Sequence, residues 1–249
     1  MTRPDTEKAK TAMPSLSERL RTAASLVTPG NVLADVGTDH AFVPVFLVLN
    51  GTVPSAVAMD VNRGPLERAR EHIRMYALED RIRTRLSDGL RELKPGEAQT
   101  VMIAGMGGAL TERILAGDTG CPEMTRTGIK ELVLQPQSEL MRVRLFLQRS
   151  GWRIDKERMV FEDGKFYPMM QCHPGTMQLS EEELLYGPCL IARRDPVLIR
   201  YLGWQDRVLS SNLEQLEGAE GIRAARRREE ISRKRERAGA LKERMEKEC

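Results

Sequence analysis

The 249-residue chain is short of several things at once, and each shortage excludes a class of protein. Aromatic residues make up only 4% of it: five Phe, four Tyr and two Trp. Four cysteines (Cys121, Cys172, Cys189 and Cys249) are scattered singly, and the three histidines (His40, His72 and His173) stand apart. No metal-ligand pair pattern appears among them, so no metal is expected. No apolar run approaches the ~20 residues needed to span a bilayer. The opening, MTRPDTEKAKTAMPS, is polar and lacks the apolar core of a secretion signal. These absences describe a reduced, cytoplasmic protein with no membrane partner. Disorder is excluded by what is present, because 41% of residues are hydrophobic. At roughly 150 residues per domain, the length allows one or two domains.

Charge is unevenly spread. Residues 1–189 hold 24 basic and 25 acidic side chains, whereas residues 190–249 hold 15 and 11. Within 222–237 there are eight basic residues and three acidic ones. A basic segment on a neutral body suggests a polyanionic partner. A solvated helix laced with Glu–Arg pairs reads equally well from charge alone.

The hydrophobic pattern predicts a helix from Ser15, with Ser15 as N-cap and Glu18 completing a capping box. Short apolar strands are expected at 31–37, 56–60, 81–86, 100–105 and 131–135. Amphipathic helices fall between them at 42–49, 64–77, 108–115 and 138–148. Two further strands, 152–160 and 166–172, read as a hairpin joined by Glu162-Asp163-Gly164-Lys165. Strands alternating with helices argue for an α/β fold whose mostly parallel sheet is covered on both faces, with an antiparallel C-terminal edge. Beyond Gly187-Pro188 the pattern changes to two long helices, 195–217 and 222–248, around a turn at 218–221. The expected organisation is a body over 1–187 and a helical hairpin resembling an antiparallel coiled coil over 188–249.

In open α/β sheets ligands bind beyond the carboxyl ends of the strands. The informative residues stand there: Asp35-Val36-Gly37-Thr38-Asp39-His40, then Asp60, then Ser87-Asp88-Gly89, then Gly105-Met106-Gly107-Gly108, then Gln135-Pro136-Gln137. Gly37 lets the backbone turn close to a ligand. Asp60, 25 residues after Asp35, suits the hydroxyls of a ribose. Asp88 can accept from an adenine amino group. Where a dinucleotide fingerprint needs further glycines, the chain has Asp39 and Ala41. A carboxylate there repels a pyrophosphate but tolerates a cationic ligand, which favours S-adenosylmethionine over NAD.

These residues resemble the motifs of the bacterial tRNA adenine-N1-methyltransferases that modify position 22, the TrmK family. Residues 35–44, DVGTDHAFVP, resemble that family's DIGSDHAYLP. Asp88-Gly89-Leu90, Ile103-Ala104-Gly105-Met106-Gly107-Gly108, Leu134-Gln135-Pro136 and Glu162-Asp163-Gly164-Lys165-Phe166-Tyr167 follow in the same order. Gly64-Pro65-Leu66 looks like its G-P-L segment. The chain departs from the pattern at Gln137, where the family usually has Asn, and at Pro168, where an acidic residue usually follows the Tyr.

The resemblance implies a Rossmann-like S-adenosylmethionine-dependent methyltransferase sheet, with tRNA as substrate and a coiled-coil-like tail. The expected cofactor residues are Asp35, Gly37, Asp60, Asp88, Gly89 and Gly105. Asp39 is the expected catalytic carboxylate, holding the adenine amino group, with His40 as neighbour; the alternatives for Asp39 are the cofactor's ammonium and a loop amide. Arg19, Met106, Gly107, Gln137 and Tyr167 are expected at the substrate, and Arg226 and Arg227 at the tRNA backbone. A monomer is expected. Three readings compete with this one: a methyltransferase for another RNA, one for a small molecule, and a non-catalytic RNA-binding adaptor.

Overall fold

A computed structural model describes residues 13–117, 122–218 and 220–247. The polar N-terminal stretch to residue 12, Cys121, Ala219 of the expected turn, Glu248 and Cys249 lie outside them. The chain runs α1 (Glu18–Ala24), β1 (Leu33–Val36), α2 (Phe42–Leu49), β2 (Ala56–Asp60), α3 (Arg63–Met75), β3 (Ile82–Leu86), β4 (Thr100–Ala104) and α4 (Gly108–Ala116). It continues with α5 (Glu123–Thr127), β5 (Glu131–Gln135), α6 (Leu140–Arg149), β6 (Trp152–Glu162) and β7 (Lys165–Pro174). Four helices close it: α7 (Glu181–Tyr186), α8 (Pro188–Ala192), α9 (Pro196–Gln215) and α10 (Ile222–Lys247).

The seven strands form one sheet in the order β3-β2-β1-β4-β5-β7-β6. The first five are parallel; β7 runs antiparallel to β5, and β6 antiparallel to β7. Strand order reverses between β1 and β4, the crevice where such sheets bind ligands. Register sets Asp35 of β1 opposite Ala58 on one side and Met102 on the other.

Side chains alternate across a strand, and both faces here are covered. Leu33, Ala56, Ala58, Met102 and Val133 enter the layer beneath α1, α2 and α3. Ala34, Val36, Val57, Met59, Val101, Ile103, Leu132 and Leu134 enter the opposite layer beneath α4 and α6. That double burial is why the strands read as continuous apolar runs. The β6–β7 hairpin closes on Asp163 and Gly164, both at positive φ (48° and 76°), the geometry a two-residue Asp-Gly turn requires.

One local expectation is corrected. Ser17, not Ser15, caps α1, its hydroxyl accepting from the Leu20 N–H at 3.3 Å. The Glu18 backbone N–H instead donates to Glu162 Oε1 at 2.6 Å, so a distant strand satisfies the donor assigned to the capping box. The short helices α5, α7 and α8 were not expected either; each is too brief to carry a helical period.

The tail is an antiparallel pair. Leu198 and Leu202 near the start of α9 pack with Ala238, Leu241 and Met245 near the end of α10, on a floor of Met159, Tyr186 and Leu190. A buried ion pair fastens this base to the body. Arg144 of α6 meets Glu157 of β6 at 2.9 Å and also donates to the carbonyls of Leu184 and Leu185. Glu157 accepts from the Cys189 N–H at 2.9 Å. Among the described residues no helix is long and apolar enough to cross a membrane.

Candidate active site

The carboxyl ends of β1, β2, β3 and β4 surround a cleft of about 530 Å³, a size suited to a nucleoside-bearing ligand. Its lining includes Gly37, Asp60, Asp88, Gly89, Gly105 and Met106. The loop after β1 is tied to β2, with Gly37 and Thr38 donating N–H bonds to the Met59 carbonyl at 2.8 and 3.0 Å. Gly37 has φ +76°, where any side chain is strained, and the Met106 methyl packs into the space a Cβ would take, 2.3 Å from its position. Asp60 Oδ1 accepts from the Asn62 N–H at 2.8 Å, fixing its carboxylate at the strand end. The Ser87 N–H donates to the Asp60 carbonyl at 2.9 Å, and the Ser87 hydroxyl donates to the Gly89 carbonyl at 2.8 Å. Those bonds hold Asp88 beside Asp60.

Asp35 lies beneath this loop and is buried. Burial pushes its carboxyl up to about 6; the Thr38 hydroxyl opposes the shift and the charge of Asp60 adds to it.

A second group adjoins the cleft. Arg19 of α1 donates from Nη1 to Gln135 Oε1 at 2.7 Å, and its guanidinium lies 5.3 Å from the centre of the Tyr167 ring. Gln135 is fully buried at the end of β5, and its Nε2 has no partner among the described residues. A buried amide donor left alone costs about 1–3 kcal/mol, so it marks a place for a ligand or water. Gly105 stands between the two groups. It lines the cleft, and a Cβ on it would face Gln137 Nε2 at 3.7 Å and Arg19 Nη1 at 3.8 Å. The Gln137 N–H donates to the Met106 carbonyl at 2.8 Å. Gly108 lets the two loops touch: a Cβ there would lie 2.6 Å from the Ser138 carbonyl.

The donor set fits S-adenosylmethionine better than a dinucleotide. The cleft carries carboxylates at Asp60 and Asp88. The helix that follows β1 opens on Ala41 at φ 55° with no side-chain cap, and Asp39 stands just before it. The carboxylates of Asp60 and Asp88 repel a phosphate in the cleft, whereas they attract a sulfonium and an ammonium.

The comparisons with known proteins agree with that chemistry. A family model described as a methyltransferase domain matches residues 16–170. The tRNA (adenine(22)-N(1))-methyltransferase of Bacillus subtilis is 34% identical over 191 residues, covering 74% of this chain and 79% of that one. The chain belongs to this methyltransferase family. The crystal structure of the B. subtilis m1A22 tRNA methyltransferase TrmK superposes with a TM-score of 0.80 at 29% identity, covering 92% of this chain and 99% of that one. Streptococcus pneumoniae Sp1610, solved in complex with S-adenosyl-L-methionine, superposes at 0.78 with 32% identity, over 91% and 99% of the two chains.

In this methyltransferase most residues singled out from the sequence converge on the two adjoining groups. Asp39 and His40 stand outside the residues that line the cleft. Asp39, 61% exposed at φ 48°, pairs with Arg68 of α3 at 2.8 Å, and His40 Nε2 is 3.7 Å away. The His40 ring stacks on Phe42 (5.1 Å), which meets His72 edge-on. Burial lowers the pKa of His72, against the pull of the His40 carbonyl 3.0 Å from its Nδ1. Gly107 caps α4. Arg226 and Arg227 lie on α10 and are exposed, Arg227 paired with Glu230 at 2.9 Å. Gln135 and Ser87 stand among the strand-end residues singled out from the sequence, which assigns them no role. The signal for Gln135 was present, a lone amide closing the apolar run ELVLQ.

Proposed function

We propose that the protein methylates N1 of adenine 22 in tRNA with S-adenosylmethionine as donor, acting as a cytoplasmic monomer. The observation that carries this reading is the shared wall at Gly105, with an acidic nucleoside-sized cleft on one side and Arg19, Gln135 and Tyr167 on the other. Family membership supplies the position and the atom.

Bound S-adenosylmethionine supplies an electrophilic methyl group on a sulfonium. Asp60 takes the ribose hydroxyls and Asp88 the adenine amino group of the cofactor. Gly37, Gly89 and Gly105 keep the backbone close, and Asp35 lies buried beneath them. The target adenine needs no strong base, because its N1 lone pair lies in the ring plane and is unprotonated at neutral pH. Positioning supplies much of the gain. The methylated ring is cationic, so a carboxylate on its amino group stabilises the charge as it develops. We assign that role to Asp39, with His40 beside it, and to serve it Asp39 exchanges its bond to Arg68. Tyr167 offers a face for the turned-out base, and Met106, Gly107 and Gln137 border it. Residues 1–187 carry the chemistry, while Arg226, Arg227 and their neighbours in 188–249 meet the phosphates.

The test is methyl transfer from isotope-labelled S-adenosylmethionine to unmodified bulk tRNA, followed by digestion to nucleosides. Label in 1-methyladenosine is expected. Cofactor binding without transfer to tRNA moves the reading to another acceptor, and absence of cofactor binding defeats it.

A further inference from the structure

Five of the eleven aromatic residues of the chain lie around one cleft. A second cleft, of about 470 Å³, opens between the β6–β7 hairpin, α6 and α9, and Phe166, Tyr167, Tyr186, Tyr201 and Trp204 line it. Three of the rings, Phe166, Tyr201 and Trp204, form a connected set. Phe166 lies 5.2 Å from Tyr201 and 5.8 Å from Trp204, and Tyr201 lies 5.7 Å from Trp204 with planes 31° apart. Rings that serve only as core are buried, yet Trp204 is 43% exposed. Its surface is unexplained by packing.

The polar groups narrow the occupant. Arg144 borders the cleft, but Glu157 and two carbonyls hold its guanidinium, so the floor offers no free cation to an anion. Flat π-faces with a positive rim suit an uncharged ring on a charged backbone. Lys165 stands at the rim, and the Arg200 guanidinium lies 3.7 Å from the centre of the Phe161 ring, which is itself 4.6 Å from the Phe166 ring. Gln137 and Tyr167 line this cleft too, so it is continuous with the acceptor side of the proposed active site.

We propose that this cleft stacks a second unpaired base of the RNA substrate, a neighbour of the methylated adenosine, on Trp204 and Tyr201. The inference rests on the RNA-methyltransferase reading above. It gives the junction of body and tail a task beyond charge: holding the strand splayed while the target base enters the first site.

The probe is unmodified transcribed tRNA. Trp204→Ala is expected to weaken tRNA binding about 10-fold with S-adenosylmethionine affinity unchanged, while Trp204→Phe retains most of the binding. Wild-type tryptophan emission is expected to be quenched by tRNA, and the quench lost in Trp204→Phe, because Trp152 is buried. An abasic nucleotide at one position beside the target should cost the wild type about 10-fold and cost Trp204→Ala nothing more. Unchanged tRNA affinity in Trp204→Ala, or emission indifferent to tRNA, overturns the proposal. If the alanine variant also loses cofactor affinity, it has misfolded, and the quench in wild type against Trp204→Phe decides. Both binding readouts need no turnover, so a wild type that binds and quenches without methylating tRNA defeats the activity reading and leaves the stacking site standing.

Discussion

The strand-end cleft and the basic tail were both visible as signals in the sequence, and they behave differently in three dimensions. In the cleft, backbone geometry does the positioning. Each polar residue follows a strand directly, so the parallel register of β1, β2, β3 and β4 carries Gly37, Asp60, Asp88 and Gly105 to one edge. In the tail, side chains decide, and most are already engaged. Arg233 pairs with Glu229, Lys234 with Glu230, Arg235 with Asp206 of α9, and Arg237 and Arg244 with Glu181 and Glu182 of α7. A strand-end motif survives folding as a site, whereas a charge count overstates the charge a surface offers to RNA.

The strongest way to break the comparison is to detach the tail from the body. Arg144→Ala leaves Glu157 buried and uncompensated, which costs about 3–5 kcal/mol. At roughly 2–4 °C per kcal/mol for a chain of this size, the melting temperature should fall by about 6–20 °C. A shift below about 2 °C would mean that the junction does not depend on this pair. Next in size is Asp60→Ala, which tests the cleft alone. Loss of a charged hydrogen-bond acceptor of about 1.5–3 kcal/mol corresponds to a drop of about 10- to 100-fold in S-adenosylmethionine affinity by calorimetry. Thermal stability without ligand should barely move. An unchanged affinity removes Asp60 from the cofactor site.

The same contrast explains what the sequence made legible. The strands and their order along the chain were readable because apolar runs and strand-end glycines are local features. The DG turn at Asp163-Gly164 was readable for the same reason. What escaped was set by distant partners. Glu162 takes the N–H that a local capping box would have used. Gln135 becomes a site residue only because Arg19 arrives from α1, 116 positions earlier. The engagement of Asp39 by Arg68 depends on how α3 packs against the loop after β1. The aromatic cleft joins rings from β7, α7 and α9, and no spacing within any one of them announces it.

Asp35 sharpens the comparison from the cleft side. Its folded pKa is about 6, raised mainly by burial, while an aspartate in the unfolded chain titrates near 3.9. Between about pH 4 and pH 6 the folded state holds a proton that the unfolded chain has released. This group therefore lowers stability as pH rises through that window. Asp35→Asn removes the effect. Its stability relative to wild type should be higher at pH 7.5, by an amount on the order of 3 kcal/mol, and equal below about pH 4. Denaturant melts at the two pH values measure this. A pH-independent difference would place the cause in packing instead of ionisation.

The smallest effects belong to the tail, and they separate charges that are free from charges that are engaged. Arg223 and Arg226 carry no ion pair among the described residues, whereas Arg233 is paired with Glu229 on the same helix. If free charge is what meets phosphate, Arg223→Ala and Arg226→Ala should each flatten the dependence of log K on log salt for tRNA by about 1. Arg233→Ala should flatten it less, because removing that arginine also frees a carboxylate. Stability should stay within about 0.5 kcal/mol of wild type in all three, as for surface substitutions away from buried networks. Binding measured across a range of potassium chloride concentrations gives the slopes. Equal slopes for the three variants would mean that tRNA strips the intrahelical pairs on binding, and the tail's full basic count would then be the relevant charge after all.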